Sequence, residues 1–353
     1  MGGAERVFST LLHYSDAQKF EFHLILIHPR EQEAYTIPPH VRVHSLRCSS
    51  VLRSLPSLWN KLRTLQPNVV LSTLTHLNCA VLLMSKFLPF HLNVWVQEAN
   101  HLSENIKHEP LGKLLAILVP WLYPSAKGVL ALSQTLQRDL EVHFHIPAQK
   151  IALFPNPCDI AVTVPNLLAQ QSSRRQSPFG EMGSGPHIIV VGRLSIIKQG
   201  EVALAAFARW RESYPNLQLW FCGDGPQRQF LEEVATKLNC SNAVQFVGYQ
   251  EDLRPWYEYA DLLLHTPKLE GLPNVLIEAI AMGCPVQVLS HHGGSEELLT
   301  ECGISHRYVQ HLQHPLFDKS DMLEASKKCR DRYDPQKASP RLFKIILPES
   351  LPE

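Results

Sequence analysis

The sequence predicts an α/β protein with two successive Rossmann-like domains. Short β-rich runs alternate with amphipathic helical runs along most of the chain, which is the pattern of parallel sheets covered by helices on both faces. With 353 residues the chain is long enough for two hydrophobic cores. Between the two series, residues 166–186 are rich in Ser, Gln, Arg, Gly and Pro, a composition that indicates a linker.

The N-terminal domain is predicted to span residues 1–165. Its strands are short apolar runs, predicted at 20–28, 41–46, 68–72, 93–97, 128–133 and 151–154. Its helices are longer runs with helical spacing of apolar residues, predicted at 5–14, 52–65, 78–87, 111–123 and 134–143.

The second domain is predicted to span residues 187–330. Its strands are predicted at 187–191, 218–222, 244–247, 261–265 and 285–289. Its helices are predicted at 200–214, 227–238 and 253–260, and from Pro273 onward. Beyond residue 300 the pattern weakens and only 321–331 looks helical. We expect residues 331–353 to form a tail that returns to the first domain.

Composition and charge exclude several classes of function. Lys and Arg together number 33, as do Asp and Glu, so no net field favours nucleic acid. The eight cysteines are scattered without Cys-x-x-Cys spacing, which argues against a zinc site and against a secreted disulfide framework. The start of the chain does not resemble a signal peptide, and no apolar run reaches the roughly 18 residues of a membrane span. We therefore expect a soluble cytoplasmic protein.

The segment 269–286 contains two carboxylates that indicate a ligand site. Glu270 precedes Pro273, a residue suited to the first position of a helix, and Glu278 lies inside that helix among apolar neighbours. A buried carboxylate needs hydrogen-bond partners, which the hydroxyls of a ligand would supply. The free N–H groups at the helix start attract anions. A sugar joined to a nucleoside diphosphate has the matching chemistry.

Two further loops follow predicted strands of the second domain. Arg193 and Lys198 come after strand 187–191, at the strand end where a ligand crevice is expected. There the arginine would bind a phosphate with two parallel N–H bonds and the lysine would act as a point charge. The alternative is that both are solvated cations of a loop. Gly293 and Gly294 follow strand 285–289, as a ligand-binding loop or as a tight turn. By contrast, Gly223-Asp224-Gly225-Pro226 reads as a structural turn.

In the first domain, Gly2 and Gly3 form a glycine loop before a helix, or a loose chain terminus. Asn100 and His101 follow strand 93–97. A histidine at this place either positions an acceptor or is simply a solvated loop residue. Residues 107–123 are mostly apolar, which predicts a buried helix, while Lys, Trp and Tyr side chains there also suit a shallow contact with a bilayer.

In their order and spacing, the motifs resemble the retaining glycosyltransferases of family four, which have the GT-B architecture of two Rossmann-like domains facing each other across a cleft. The resemblance covers residues 2–299 and is strongest after residue 188. Family members have a strand before the glycine loop, so the first domain is expected to lack its first strand. The motifs that carry the resemblance are Gly2-Gly3-Ala4-Glu5-Arg6, Glu98-Ala99-Asn100, Val191-Gly192-Arg193-Leu194 with Lys198, Gly223-Asp224-Gly225-Pro226, and Glu270-Gly271-Leu272-Pro273-Asn274 with Glu278.

The resemblance implies a role for each of these groups. Arg193 and Lys198 would neutralise the donor diphosphate, and Glu270 would contact the donor sugar; these three are the expected catalytic residues. Asn100 and His101 would line the acceptor side. The remaining expected donor-binding residues are Gly2, Gly3, Gly271, Leu272, Pro273, Asn274, Glu278, Gly293 and Gly294.

The predicted function is transfer of a sugar from a UDP- or GDP-type donor to a glycan or lipid-linked glycan acceptor, with anomeric retention and without metal or cofactor. The opening glycine loop and Glu98-Ala99-Asn100 look most like those of bacterial members that build surface glycans. The expected location is the cytoplasm, with peripheral contact at the inner face of the membrane. A non-catalytic GT-B remnant that binds nucleotide or a partner is the alternative, and a nucleotide-sugar epimerase is a lesser one.

Overall fold

The computed structural model describes residues 3–27, 37–108, 111–159, 177–180 and 185–347. The chain divides into two units, Met1–Pro157 with Pro335–Glu353 as the first and Cys158–Asp334 as the second. Of the expected linker, only 177–180 and 185–186 belong to the described residues. No helix in the described ranges is both long enough and apolar enough to cross a membrane.

The first unit contains parallel strands with helices packed against them. Its strands are β1 Phe22–Leu26, β2 Val41–Ser45, β3 Val69–Thr73, β4 Asn93–Glu98, β5 Gly128–Ala131 and β6 Ile151–Leu153. Its helices are α1 Gly3–His13, α2 Val51–Leu65, α3 Thr75–Ser85, α4 Leu102–Asn105, α5 Gly112–Leu122 and α6 Gln134–Phe144, followed at the end of the chain by a helix at Pro335–Ile346. Leu11 of α1 and Leu342 of this last helix pack with Trp95 of β4 in one buried cluster.

The strands of the first unit form two separate sheets. β1 pairs only with β2, whereas β3, β4, β5 and β6 form a four-stranded sheet in that order. Among the described residues, no strand pairs with both β1 and β3. Every residue of β1 and most residues of β3 are partly exposed, as expected for strands with an open edge. The described strands of this unit therefore belong to two sheets, each with an open edge.

The second unit has a continuous six-stranded parallel sheet. Its strands are β7 His187–Val191, β8 Gln218–Cys222, β9 Val244–Gly248, β10 Leu262–His265, β12 Val286–Leu289 and β14 Tyr308–Val309, and a separate pair consists of β11 Leu269–Glu270 and β13 His292–Gly293. The strand order is β14-β12-β10-β7-β8-β9. The order therefore reverses between β7 and β10, and in open parallel sheets the ligand crevice lies at the carboxyl ends of such strands.

Helices cover both faces of this sheet. They are α7 Gly200–Trp210, α8 Arg228–Lys237, α9 Arg254–Tyr259, α10 Asn274–Ala281, α11 Ser295–Glu301 and α12 Met322–Arg332, and the helix that returns to the first unit, Pro335–Ile346, is α13. Phe207 of α7 and Leu231 of α8 pack against Phe221 of β8 and Leu262 of β10 in the main core of this unit. This core holds the strand ends in place beneath the loops.

The structure differs from the predicted elements of the second half of the chain in two main places. The predicted helix 200–214 ends at Trp210, because residues 211–214 turn ahead of Pro215. Beyond residue 300, the prediction of a single helix at 321–331 was wrong, since strand β14 and helix α13 are also present there. A two-residue strand carries no periodic signal, and Pro340 inside α13 argues against a helix when the sequence is read alone. All eight cysteines are free thiols.

Candidate active site

An ion pair lies at the carboxyl edge of the second sheet. Lys198 follows β7, Glu270 belongs to β11, and the ammonium donates a hydrogen bond directly to the carboxylate. The two side chains are 28% and 18% exposed, so both charges are largely shielded yet remain accessible to a ligand. The backbone N–H of Lys268 donates to the Ile197 carbonyl at 2.8 Å, which ties together the two loops that carry the pair.

Gly293 brings a third loop against the same pair of residues. β11 and β13 run parallel, with Glu270 opposite Gly293, and the Gly294 N–H donates to the Gly271 carbonyl at 2.6 Å. The φ angle of Gly293 is +149°, and a Cβ there would lie 1.7 Å from the Glu270 carbonyl oxygen. Glycine is therefore required for the close approach of this loop to Glu270. The packing accounts for Gly293 whether or not a ligand also contacts it.

Helix α10 begins next to this pair and contains the second carboxylate. It starts at Asn274, with Pro273 as the N-cap, so the prediction of Pro273 as the first helical residue is off by one position. Gly271 and Leu272 are buried in the preceding turn. Glu278 is 5% exposed and accepts a hydrogen bond of 2.9 Å from the Tyr257 hydroxyl of α9.

The sequence analysis missed Tyr257. It lies in a short helix with no recognisable motif, so its contact with Glu278 depends on the packing of α9 against α10. The buried carboxylate thus has a protein partner in addition to any ligand that it binds.

Arg193 lies in a turn built by backbone contacts. The Leu194 N–H donates to the Asp224 carbonyl at 3.0 Å, and a Cβ at Gly223 would lie 1.9 Å from the Gly192 carbonyl oxygen. The glycine turn after β8 therefore has a structural function, as predicted. The Arg193 side chain is exposed and makes no hydrogen bond or ion pair with any residue that the structure describes.

His265 ends β10 close to Lys198 and was not singled out from the sequence. It is 4% exposed, and its ring centroid lies 5.9 Å from that of His291. Burial, together with the positive charge of Lys198 and the neighbouring His291, holds the pKa of His265 well below its usual value. The available signal was a histidine at the end of a predicted strand, five residues before Glu270.

In the first unit, Glu98 is the centre of a buried polar cluster at the end of β4. It accepts hydrogen bonds from the Tyr123 hydroxyl, from Asn78 Nδ2 at 3.0 Å and from Thr75 Oγ1 at 3.0 Å. Burial raises the pKa of Glu98 to about 7, although these three hydrogen bonds oppose the shift. The cluster fixes the end of the strand from which Asn100 and His101 follow.

Asp139 of α6 caps helix α4 next to the predicted acceptor-side residues. Its carboxylate accepts from the N–H groups of Leu102 at 2.8 Å and Ser103 at 3.1 Å. His101 Nδ1 lies 3.9 Å from the same carboxylate, whereas Asn100 is exposed. Gly2 lies outside the described residues, and Gly3 is the first residue of α1, so it does not belong to a loop before that helix as predicted.

Helix α5 buries one face and exposes the other. Leu115 and Val119 are buried, whereas Leu114, Ile117 and Trp121 are 50%, 70% and 60% exposed. The prediction of a buried helix therefore holds for one face only, since apolar side chains spaced by three and four residues line the exposed face.

Two family models match the chain. One, described as Glycosyltransferase Family 4, matches residues 1–162, and the other, described as Glycosyl transferases group 1, matches residues 172–309. Together they cover most of both units.

Known proteins and solved structures are similar over nearly the whole chain. An N-acetylgalactosamine-N,N'-diacetylbacillosaminyl-diphospho-undecaprenol 4-alpha-N-acetylgalactosaminyltransferase of Campylobacter jejuni is 28% identical over 84% of this chain and 80% of its own. The structure of a sucrose-phosphate synthase from Thermosynechococcus elongatus has a TM-score of 0.74 at 16% identity, covering 98% of this chain and 92% of that chain. The HepE protein of Anabaena, in complex with UDP-glucose, has a TM-score of 0.71 at 17% identity, covering 98% and 96%.

Proposed function

Because the chain belongs to the glycosyltransferases described by these two family models, with the GT-B architecture, we propose that it is a retaining enzyme using a nucleotide-diphosphate sugar. The acceptor is a hydroxyl of a glycan or of a lipid-linked glycan, in the assembly of a surface polysaccharide. The Campylobacter relative is named for a transfer onto an undecaprenol-linked sugar, which supports this acceptor class.

The Lys198–Glu270 ion pair is the observation on which the proposal mainly rests. A nucleotide-diphosphate sugar presents anionic oxygens beside sugar hydroxyls, so it is able to replace both halves of the pair at once. Lys198 then turns to the diphosphate and Glu270 accepts from the sugar. Their pairing keeps each charge compensated at a partly shielded site.

The surrounding groups suit the rest of the donor. Backbone N–H groups at the start of α10, near Asn274, favour the anionic diphosphate. Glu278 accepts from the ribose hydroxyls and from Tyr257, since a carboxylate has lone pairs for several donors. Gly293 and Gly294 bring backbone close to the same edge. The UDP-glucose complex of the similar HepE protein supports a UDP-type donor, with a GDP-type donor as the alternative.

We assign the stabilisation of the departing phosphate to protein cations. Lys198 and the exposed Arg193, which is long enough to move, neutralise the charge that develops on the leaving diphosphate. This gives a metal-independent transfer in which Glu270 lies next to the reacting sugar. Retention of the anomeric configuration is measurable by NMR of a newly formed glycosidic product, and a product of inverted configuration would contradict this part of the proposal.

On the acceptor side, we assign Asn100 and His101 to the acceptor hydroxyl. Glu98 and Asp139 hold the two ends of the turn that carries them, which limits its movement. A positioned histidine is able to accept a proton or to orient a hydroxyl.

The exposed face of α5 fits the surface of a bilayer, where the lipid-linked acceptor would be found. Ile117 and Trp121 present apolar side chains, and Phe87, which follows α3, is 71% exposed. The Lys86 ammonium lies 4.4 Å from the Trp121 ring centroid, so cationic and aromatic groups occur together as they do at membrane interfaces. We propose peripheral contact with the cytoplasmic face of the membrane.

Sedimentation with lipid vesicles tests this contact. We expect the protein to bind vesicles that contain anionic phosphatidylglycerol and Ile117→Glu to abolish the binding. Leu52→Glu is the matched control, because Leu52 is 67% exposed on α2. Equal binding by all three proteins would contradict the assignment.

The donor is identified by incubating the protein with a panel of nucleotide sugars and a membrane extract, with products detected by mass spectrometry. The panel contains UDP-glucose, UDP-galactose, UDP-N-acetylglucosamine, UDP-N-acetylgalactosamine and GDP-mannose. Transfer should fall by about 10²-fold or more in Lys198→Ala and stay unchanged in Lys237→Ala, a control cation at the end of α8. Donor binding without transfer would favour a non-catalytic protein, and an epimeric nucleotide sugar formed without acceptor would favour an epimerase.

A further inference from the structure

His265 has a buried nitrogen without a hydrogen-bond partner. The side chain is 4% exposed, and its Nε2 is bonded to no residue in the described part of the chain. Folded proteins satisfy most buried polar atoms, because leaving one unpaired costs about 1–3 kcal/mol. A leucine at this position would avoid the cost, so the histidine requires an explanation outside the packing of the unit.

The position of His265 supplies that explanation. It ends β10, a strand next to the point where the strand order reverses, and the next residue, Thr266, donates a hydrogen bond to the Gln199 carbonyl at 3.2 Å. The same loop continues from Lys198, whose charge is close enough to act on the imidazole. His265 therefore ends its strand beside the loop that carries Lys198, at the edge of the sheet where the donor is proposed to bind.

On the basis of the proposed function, we propose that Nε2 of His265 forms a hydrogen bond with a hydroxyl of the sugar that is transferred. His265 is then a residue that selects the donor sugar and orients it against Glu270. It contributes to neither the charge balance of the diphosphate nor the binding of the nucleoside.

The chemistry of the site favours a hydroxyl over a phosphate as the partner. Lys198 and His291 lie near the ring, and burial disfavours its protonated form, so the pKa is lowered and the imidazole is neutral. A neutral imidazole carries one donor and one acceptor, and a hydroxyl matches either nitrogen because it both donates and accepts. A phosphate oxygen only accepts and gains more from a cation, which Lys198 already provides.

Substitutions that place the polar atom differently test the proposal. The amide of glutamine reaches about as far as Nε2, whereas that of asparagine reaches only about as far as Nδ1. Binding is measured by calorimetry with the nucleotide sugar of the donor panel that the wild type binds best, and with the corresponding nucleoside diphosphate. We expect His265→Asn and His265→Leu to bind the nucleotide sugar about tenfold more weakly, and His265→Gln to keep most of the affinity. The diphosphate should bind all four proteins equally.

Two controls separate a ligand contact from a structural function. Thermal unfolding of His265→Leu without ligand should show an equal or higher midpoint, because the unpaired atom is removed. A clearly lower midpoint would overturn the proposal, since it would mean that the fold already uses Nε2. Trp210→Phe removes another buried, unpaired nitrogen in the same unit, away from the strand ends, and should leave nucleotide-sugar binding unchanged.

The other outcomes are equally decisive. An equal loss for nucleotide sugar and diphosphate in His265→Leu would assign His265 to the phosphates and refute the sugar contact. Unchanged affinity in both His265→Leu and His265→Asn would refute any contact with the donor. If the wild type itself binds no member of the panel, the proposed function fails and this inference fails with it.

Discussion

Separate measurements of stability and transfer should resolve the two effects of the Lys198–Glu270 pair. We consider Lys198→Met, Glu270→Gln and the double variant, which keep the approximate size of the side chains while removing one or both charges. The two charged groups are 28% and 18% exposed, so neither is fully desolvated and neither is fully screened by water.

The expected magnitude follows from this partial burial. Two unit charges about 4 Å apart attract each other by about 4 kcal/mol at an effective dielectric constant of about 20. Desolvation and lost side-chain freedom offset much of this attraction, which leaves a coupling of about 1–2 kcal/mol. Each single variant should therefore lower the free energy of unfolding by about 1–2 kcal/mol, and the double variant should recover most of the loss.

Transfer should respond differently. Both side chains are assigned to the transition state, so each single variant should lower kcat/KM by about 10²- to 10³-fold, and the double variant should not recover. Urea unfolding followed by tryptophan fluorescence gives the stability, and product formation from the identified donor gives the rate. The exposed Lys328–Glu324 pair of α12 is the matched control, with an expected coupling below about 0.5 kcal/mol. Recovery of transfer together with stability in the double variant would show that the pair is only structural.

Three further predictions follow from the geometry. Glu98 has a pKa raised to about 7, so between the ordinary carboxyl pKa and pH 7 the folded protein binds more protons than the unfolded chain does. The free energy of unfolding should therefore fall by up to roughly 3 kcal/mol as the pH rises through that window. Urea unfolding at several pH values should show a smaller fall in Glu98→Gln, and parallel curves would refute the argument. Gly293→Ala should lower the unfolding free energy by about 3 kcal/mol and abolish transfer. Its control is Gly283→Ala, where φ is also positive but the added Cβ meets open space; this variant should lower the unfolding free energy by only about 1 kcal/mol and leave transfer unchanged. Asp139→Ala should weaken the α4 cap, lower the unfolding midpoint and raise the KM for the acceptor without changing the KM for the donor; an unchanged acceptor KM would separate the cap from the acceptor site.

The helices and strands could be predicted because their signals are local. Strand β7 was predicted at the residues where it occurs, because five consecutive residues, four of them Ile or Val, lie between a proline and a glycine. Helix α13 was missed for the opposite reason. Its internal Pro340 argues against a helix, and the contact of its Leu342 with the first unit, which supports it, is not encoded nearby in the sequence.

Reading the residues in order was enough to predict three things: the alternation of strands and helices, the loops after strands where charged residues collect, and the family to which such an order of motifs is similar. Three features came only from the folded chain: Lys198 bonds to Glu270, 72 positions away; Tyr257 reaches Glu278; and His265 is buried beside the loop that carries Lys198. The physical reason is that periodicity and turn chemistry act over a few residues. Contacts between side chains of different strands depend on strand order and register, which form only when the whole sheet packs.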